Sequence, residues 1–265
     1  MGKLYACLNV YQEEHLLPDC LRSVRENLPE AEIILIDGAY ESWILQVKVQ
    51  AAMEYAEGHV ELAESMLRFV SPISTDATIQ IAKDFKVEHI VMPQTQCMCG
   101  GKKTPTGYYE KGAYLPWPSE WQKRARFFDF GRNGDYYFIV DADERLRGKP
   151  APLVADHYAV VLKRDDDISP YPVHRVFKHR PGIKMEGAHM AVWANELVQD
   201  PATKADVIKP VLMRKDEAPI LQGCHFDHLF VGRYKADQVR TQAKGAYYRR
   251  GLSKEEEKFR AEHDI

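Results

Sequence analysis

Long apolar runs, cysteine and net charge are all scarce in this sequence. No stretch approaches the roughly 20 consecutive apolar residues of a membrane helix, so no membrane span is expected. The opening MGKLYACLNVY carries an apolar run too short and too early for a secretory leader. Five cysteines, odd in number and irregularly spaced, argue against a disulfide framework and fit a reducing cytoplasm. Cys97 and Cys99, with Cys224 and His225 as a second half, are too tightly paired for a recognised zinc pattern. A formal net charge of -3 gives no whole-chain pull toward nucleic acid or anionic lipid. Basic residues gather only in GRYKADQVRTQAKGAYYRR near the C-terminus, and no repeat, low-complexity tract or linker divides the chain.

What is present is an alternation of buried strands and amphipathic helices. LYACLNVY is an apolar run of the kind an interior parallel strand needs. EEHLLPDCLRSVREN follows with Leu16, Leu17, Leu21 and Val24 at helical spacing and Pro18 in the first turn, where proline is tolerated. AEIILIDGAY is a second buried strand ending in Asp37-Gly38. Strand, helix, strand with short joints predicts a parallel, doubly wound sheet. Glu41 to Ile73 reads as two helices broken near Gly58, and STDATIQIAKDF as a further helix capped by Ser74 or Asp76. VEHIVMP is a third strand, and EWQKRARFFDFGRNG a helix. Between them lies a long aromatic passage with Tyr108, Tyr109, Tyr114, Trp117 and Trp121, whose rings suit either core packing or stacking on a sugar or base. HYAVVLKR and YPVHRVFKH predict strands of a mixed sheet, PVLMRK another, and the tail from Tyr234 a charged helix.

YYFIVDADERL drives an apolar strand straight into Asp141, Asp143 and Glu144. Like charges this close repel unless a cation sits between them. Ligands of open parallel sheets bind beyond the carboxyl ends of the strands. Alternate carboxylates leaving such a strand can both reach a hard divalent cation, and oxygen ligands suit Mg²⁺ or Mn²⁺. A solvated acidic turn is the plain alternative. Lysines and arginines that occupy Asp141 and Asp143 would also undercut the cation.

Several stretches, in order, resemble the family 2 glycosyltransferases. LNVYQEEHLLPDCLRSV resembles their opening strand and helix, EIILIDGAY their second strand, and STDATIQIAKDF their S-T-D-G-T helix start. YYFIVDADERL resembles the strand and D-A-D-E that carries their metal. HRVFKHRPGIKMEGAH and CHFDHLFVGRYKADQVRTQAKGAYYRR are similar to the segments downstream. The resemblance implies a GT-A fold: an α/β, Rossmann-like, mainly parallel central sheet flanked by helices. It would span 1–232, with a nucleotide-binding half over 1–145, an acceptor half over 146–232, a helical insertion over 41–73 and a helical extension over 233–265.

The activity it implies is metal-dependent, inverting transfer of a sugar from a nucleoside-diphosphate sugar, UDP-linked by family habit, to an acceptor hydroxyl. Val10, Tyr11, Glu13, Asp37 and Asp76 would face the nucleoside, and Arg124 or Arg126 the base or phosphates. Asp141 and Asp143 would hold Mn²⁺ or Mg²⁺, with His225 or His228 completing the shell, and Arg233 and Lys244 would clamp the diphosphate. Glu186 is the candidate base, with Glu144 and His189 behind it. Two departures stand out. Relatives read E-G-x-x-H-E where this chain has EGAHMAV, and their continuous D-D-G-S-T-D-G-T run is split here by residues 41–73. That insertion, with Trp43, Ile44, Val47, Met66, Leu67 and Phe69, could pack on the body, form a lid or make a homodimer contact. A catalytically silent nucleotide-sugar- or glycan-binding relative is the non-enzyme alternative. A haloacid-dehalogenase-type phosphatase fits less well, because DADERL lies mid-chain with Leu146 where Thr or Val belongs. A sugar nucleotidyltransferase would want a glycine-rich loop where NVYQEEH stands. Glycan or lipid-linked sugar suits the acceptor best, and modified DNA bases stay open.

Overall fold

The computed structural model describes residues 2–95, 114–166, 168–187, 191–199, 201 and 206–229. The chain begins with β1 (Leu4–Asn9), α1 (Leu17–Asn27) and β2 (Glu32–Ile36). The insertion is the helical pair α2 (Glu41–Ala56) and α3 (Val60–Leu67), followed by α4 (Thr78–Asp84) and β3 (His89–Val91). Next come α5 (Glu120–Ala125), β4 (Tyr136–Asp141), β5 (Glu144–Arg147), β6 (His157–Arg164) and β7 (Tyr171–Lys178). β8 (Lys184–Glu186), β9 (Ala191–Gln199), β10 (Asp206–Leu212) and β11 (Ile220–His228) complete it. No helix among the described residues is long and apolar enough to cross a membrane. The expected helical extension over 233–265 lies outside the described residues, as do Cys97, Cys99, Tyr108 and Tyr109.

The central sheet runs β3-β2-β1-β4-β7-β6-β11-β5. β1, β2, β3, β4, β6 and β11 point one way, while β7 and β5 oppose them. β1 reads as a continuous apolar run because both its faces are covered. Ala6 and Leu8 enter the core under α1, whereas Tyr5 and Cys7 enter a second core with Phe127, Phe128 and Tyr137. The sheet curls. In a flat sheet β5 would stand about 19 Å from β4, four strand spacings away. The link from Asp141 to Glu144 reaches at most about 11 Å, so β11 and β5 must wrap back toward β4. The polar exits of the like-directed strands therefore gather at one end.

A separate sheet, β10-β9-β8, covers the second core with Met185, Val192 and Ala194. β9 was not expected, and PVLMRK contributes only its first half to β10. The predicted break in the insertion occurs at Gly58 (φ 87°). There the Gly58 N–H bonds the Tyr55 carbonyl at 3.1 Å and the His59 N–H bonds the Glu54 carbonyl at 2.9 Å, which closes the end of α2. Trp43, Ile44, Val47, Met66 and Phe69 pack around Tyr11, so the insertion is fastened to the body. Leu67 is the exception and faces solvent, with Leu45, Val49 and Met53 on the outer face of α2.

Candidate functional site

At the exit of β2, Asp37 is fully buried. Its two carboxylate oxygens accept from Ser74, Oδ2 from the backbone N–H at 2.9 Å and Oδ1 from the hydroxyl at 2.5 Å. Ser74 is thus a partner of Asp37 and not the cap of α4. Burial raises the Asp37 pKa, partly offset by the Lys123 charge and the Ser74 bonds. Lys123, itself buried, donates to the carbonyls of Val10 (2.7 Å) and Gly38 (2.6 Å) and so ties α5 across the ends of β1 and β2. Trp117 donates its indole N–H to the Asp37 carbonyl at 2.7 Å, a packing role and not a stacking platform. A nucleoside could reach Asp37 only by displacing this lattice.

The turn after β1 is bound to the residues that follow the insertion. Gln12 donates its N–H to Ser74 Oγ at 2.8 Å, Glu13 to Thr78 Oγ1 at 2.7 Å, and Glu14 to Asp76 Oδ2 at 3.1 Å. Asp76 also accepts the Thr78 N–H at 2.9 Å and turns the chain into α4. Residues 41–73 therefore do not carry Asp76 away from the turn after β1, because the insertion returns beside its own start, with the Ala39 N–H on the Pro72 carbonyl at 3.0 Å. Val10, Tyr11 and Glu13 are all buried, and the Tyr11 hydroxyl donates to the Ser71 carbonyl at 2.8 Å.

The exit of β4 is a charge network. Asp141 Oδ1 accepts from Arg124 Nη2 at 2.9 Å, and Oδ2 from Arg175 Nη2 at 2.8 Å. The same Arg175 nitrogen donates to Glu144 Oε1 at 2.6 Å, while Glu144 Oε2 accepts the Asp141 N–H at 2.9 Å. Burial alone would raise the Asp141 pKa, but the two guanidiniums outweigh it and hold the carboxylate well below its usual range. Glu144 goes the other way: burial, opposed by Arg175 and reinforced by the neighbouring aspartates, pushes it up to about 7. Arg145 fastens the turn beneath by donating to the Ala142 and Leu16 carbonyls at 2.9 and 3.0 Å.

Asp143 points instead toward β11, where His228 Nε2 lies 3.4 Å from Asp143 Oδ2. Burial disfavours the imidazolium, yet the Asp143 bond and the surrounding acidic charge outweigh it and raise the His228 pKa. His225 sits three residues earlier on the opposite strand face, paired with Asp227 at 3.3 Å. Of the two candidate histidines, the fold brings His228 to Asp143. Asp141, Asp143 and His228 do not form a three-ligand cluster. Among the described residues the one His/carboxylate grouping of that kind is Glu54, Glu57 and His59, exposed at the end of α2. The lip still offers one carboxylate and one imidazole together, and Mg²⁺-type ions are commonly held by one or two carboxylates with substrate phosphates and water supplying the rest. Asp143 is a carboxylate of that kind, with His228 as a neighbouring nitrogen donor and Asp141 committed to the arginines.

The other expected site residues are dispersed. Arg126 is half exposed and paired with Asp129 at 2.9 Å, unlike the buried Arg124. Glu186 ends β8 with its carboxylate on Lys184 at 2.7 Å. His189, Arg233 and Lys244 lie outside the described residues. The residues that sequence reasoning missed are Lys123 and, above all, Arg175. The β6–β7 register steps from Tyr158↔Val176 to Ala159↔His174, which leaves Arg175 as the extra residue of a bulge. Bulges re-aim side chains, and this one turns a guanidinium toward the exit of β4.

No protein-family model matches the chain, and neither does any curated protein. Among solved structures, the chain is similar to that of S. aureus TarS 1-349, at 12% identity and a TM-score of 0.33. The match covers 63% of this chain and 37% of that one, so the chain spans little more than a third of its neighbour.

Proposed function

We propose that the chain transfers a sugar from a nucleoside-diphosphate sugar to an acceptor hydroxyl with inversion, using Mn²⁺ or Mg²⁺. The observation that supports this best is the pairing of Asp143 with His228 at the common exit of the like-directed strands, beside the guanidiniums of buried Arg124 and half-buried Arg175. When bound, the cation supplies Lewis-acid stabilisation to the departing diphosphate. Asp143 and His228 would hold it. Arg124 and Arg175 keep the neighbouring Asp141 ionised without leaving its charge unbalanced. Glu186 is the proposed base: it takes the acceptor proton as the hydroxyl oxygen bonds to the anomeric carbon and the bond to the diphosphate breaks. Glu144 suits that role poorly, since both its oxygens are engaged and it is buried. The donor is UDP-linked and the acceptor a glycan or lipid-linked sugar in this reading.

The engagement of Asp141 by arginines, and of Glu186 by Lys184, favours one second reading, a nucleotide-sugar-binding protein without turnover. A thermal-shift panel of nucleotide-sugars with and without Mn²⁺, followed by assay for free nucleoside diphosphate, tests both. Stabilisation with turnover supports the transferase, stabilisation alone supports the binder, and neither response removes both. Asp143→Ala is expected to abolish the Mn²⁺-dependent shift while the protein without ligand stays folded. An unchanged shift takes Asp143 out of the site.

A further inference from the structure

We propose that Arg175 is a donor-binding residue that grips the diphosphate without the cation, with Arg124 positioning it through their shared counter-ion Asp141. The inference rests on the nucleotide-sugar reading above and names a contact within that site. Two guanidiniums converge on one carboxylate, one from α5 and one from the β7 bulge. A guanidinium carries five N–H donors in a planar fork suited to phosphate oxygens. Arg175 makes its ion pairs through Nη2 alone, and its Nε is buried with no hydrogen-bond partner. Arg124 Nη1 is likewise unpartnered.

One acceptor in the same neighbourhood completes the pattern. Asn9 Oδ1, on the residue in register with Asp141, is also buried without a hydrogen-bond partner. Native interiors pair more than about nine-tenths of such atoms. Unmatched donors and an acceptor collected at one strand exit point to a ligand that presents both, as a diphosphate linked to a sugar does. Access separates the two arginines. Asp141 is a quarter exposed and Arg175 15% exposed, whereas Arg124 lies behind them at 8%. Arg175 is therefore the one that touches ligand. A purely structural role, neutralising Asp141 and Glu144, is met by Nη2 alone and gives the buried Nε no partner.

Titration of the full chain with UDP and with inorganic pyrophosphate, in EDTA, tests this. Wild type is expected to bind both. Arg175→Lys, which keeps the charge and loses the fork, is expected to weaken both at least tenfold, and Asp141→Asn, which frees the arginines from their counter-ion, to tighten both. If Arg175→Lys unfolds, the Asp141→Asn arm decides alone. Binding that needs Mn²⁺, or that neither substitution moves, overturns the arginine grip and leaves the transferase reading standing. Failure of UDP to bind under any condition, Mn²⁺ included, overturns both.

Discussion

Asp37 and Asp141 leave the same end of one sheet on either side of β1, one after β2 and the other at the end of β4, yet their surroundings drive them in opposite directions. Asp37 is closed off, bonded through both oxygens to Ser74, and burial raises its pKa. Asp141 is partly open, bonded to two arginines, and their charge lowers its pKa. The turn explains much of this. Gly38 (φ 108°) lets the chain fold so tightly that a Cβ there would stand 2.6 Å from the Pro72 carbonyl oxygen, and the returning insertion seals Asp37 in. After Asp141 the chain doubles back into β5 and exposes its edge. Position at a strand exit therefore does not by itself make a ligand site; what packs over the exit decides. Asp37 knits the floor, and the β4 exit faces outward.

The largest expected effect tests the closed side. Asp37→Ala removes the acceptors of two Ser74 donors and an opposing charge felt from buried Lys123. Each buried donor left unsatisfied costs about 1–3 kcal/mol, to be read from the urea midpoint. A loss below about 1 kcal/mol, with nucleotide binding abolished, would instead make Asp37 a ligand residue and collapse the contrast.

The next effect is a pH slope at the open side. The Glu144 carboxyl stands at about 7 against its ordinary 4.5, so folding takes up a proton there. Its contribution to stability is complete below about pH 4.5 and fades as pH rises to 7. Asp141 acts oppositely, contributing above its ordinary 3.8 and losing that only on acidification. Stability of wild type minus that of Glu144→Gln should therefore fall between pH 5 and 7, by at most about 1.4 kcal/mol per unit. The half-buried His157–His174 pair, held below its ordinary pKa by burial, titrates in both proteins and cancels in the difference. A difference that stays flat between pH 5 and 7 would mean that Arg175 holds Glu144 ionised as firmly as it holds Asp141.

Much of the floor was legible in the sequence, and little of the charge network was. Strands covered on both faces must be apolar throughout, so β1, β2 and β4 announce themselves, and a helical pair hinged at glycine does too. β9 hides because only Val192 and Ala194 of AVWANELVQ enter the core. The curl depends on β5 pairing with β11, whose partner residues lie some eighty positions apart, as Arg147 and Asp227 do. Arg175 could not be read from alternation at all, because the bulge changes which face each residue takes. Nothing in YPVHRVFK, which has no glycine, marks it.

Arg124 and Arg126 show the same limit at its narrowest, and carry the smallest prediction. Two residues apart at the end of one short helix, they are indistinguishable by composition or spacing. The helix turns them about 200° apart, which puts Arg124 against Asp141 and leaves Arg126 in solvent with Asp129. An exposed pair of that kind contributes at most about 1 kcal/mol. Arg126→Ala should thus shift the urea midpoint by no more than that, and leave UDP affinity in EDTA unchanged. A tenfold loss of UDP affinity in Arg126→Ala would mean that the ligand reaches past the buried arginines to the solvent side of α5, and the boundary between floor and site would have to be redrawn around that helix.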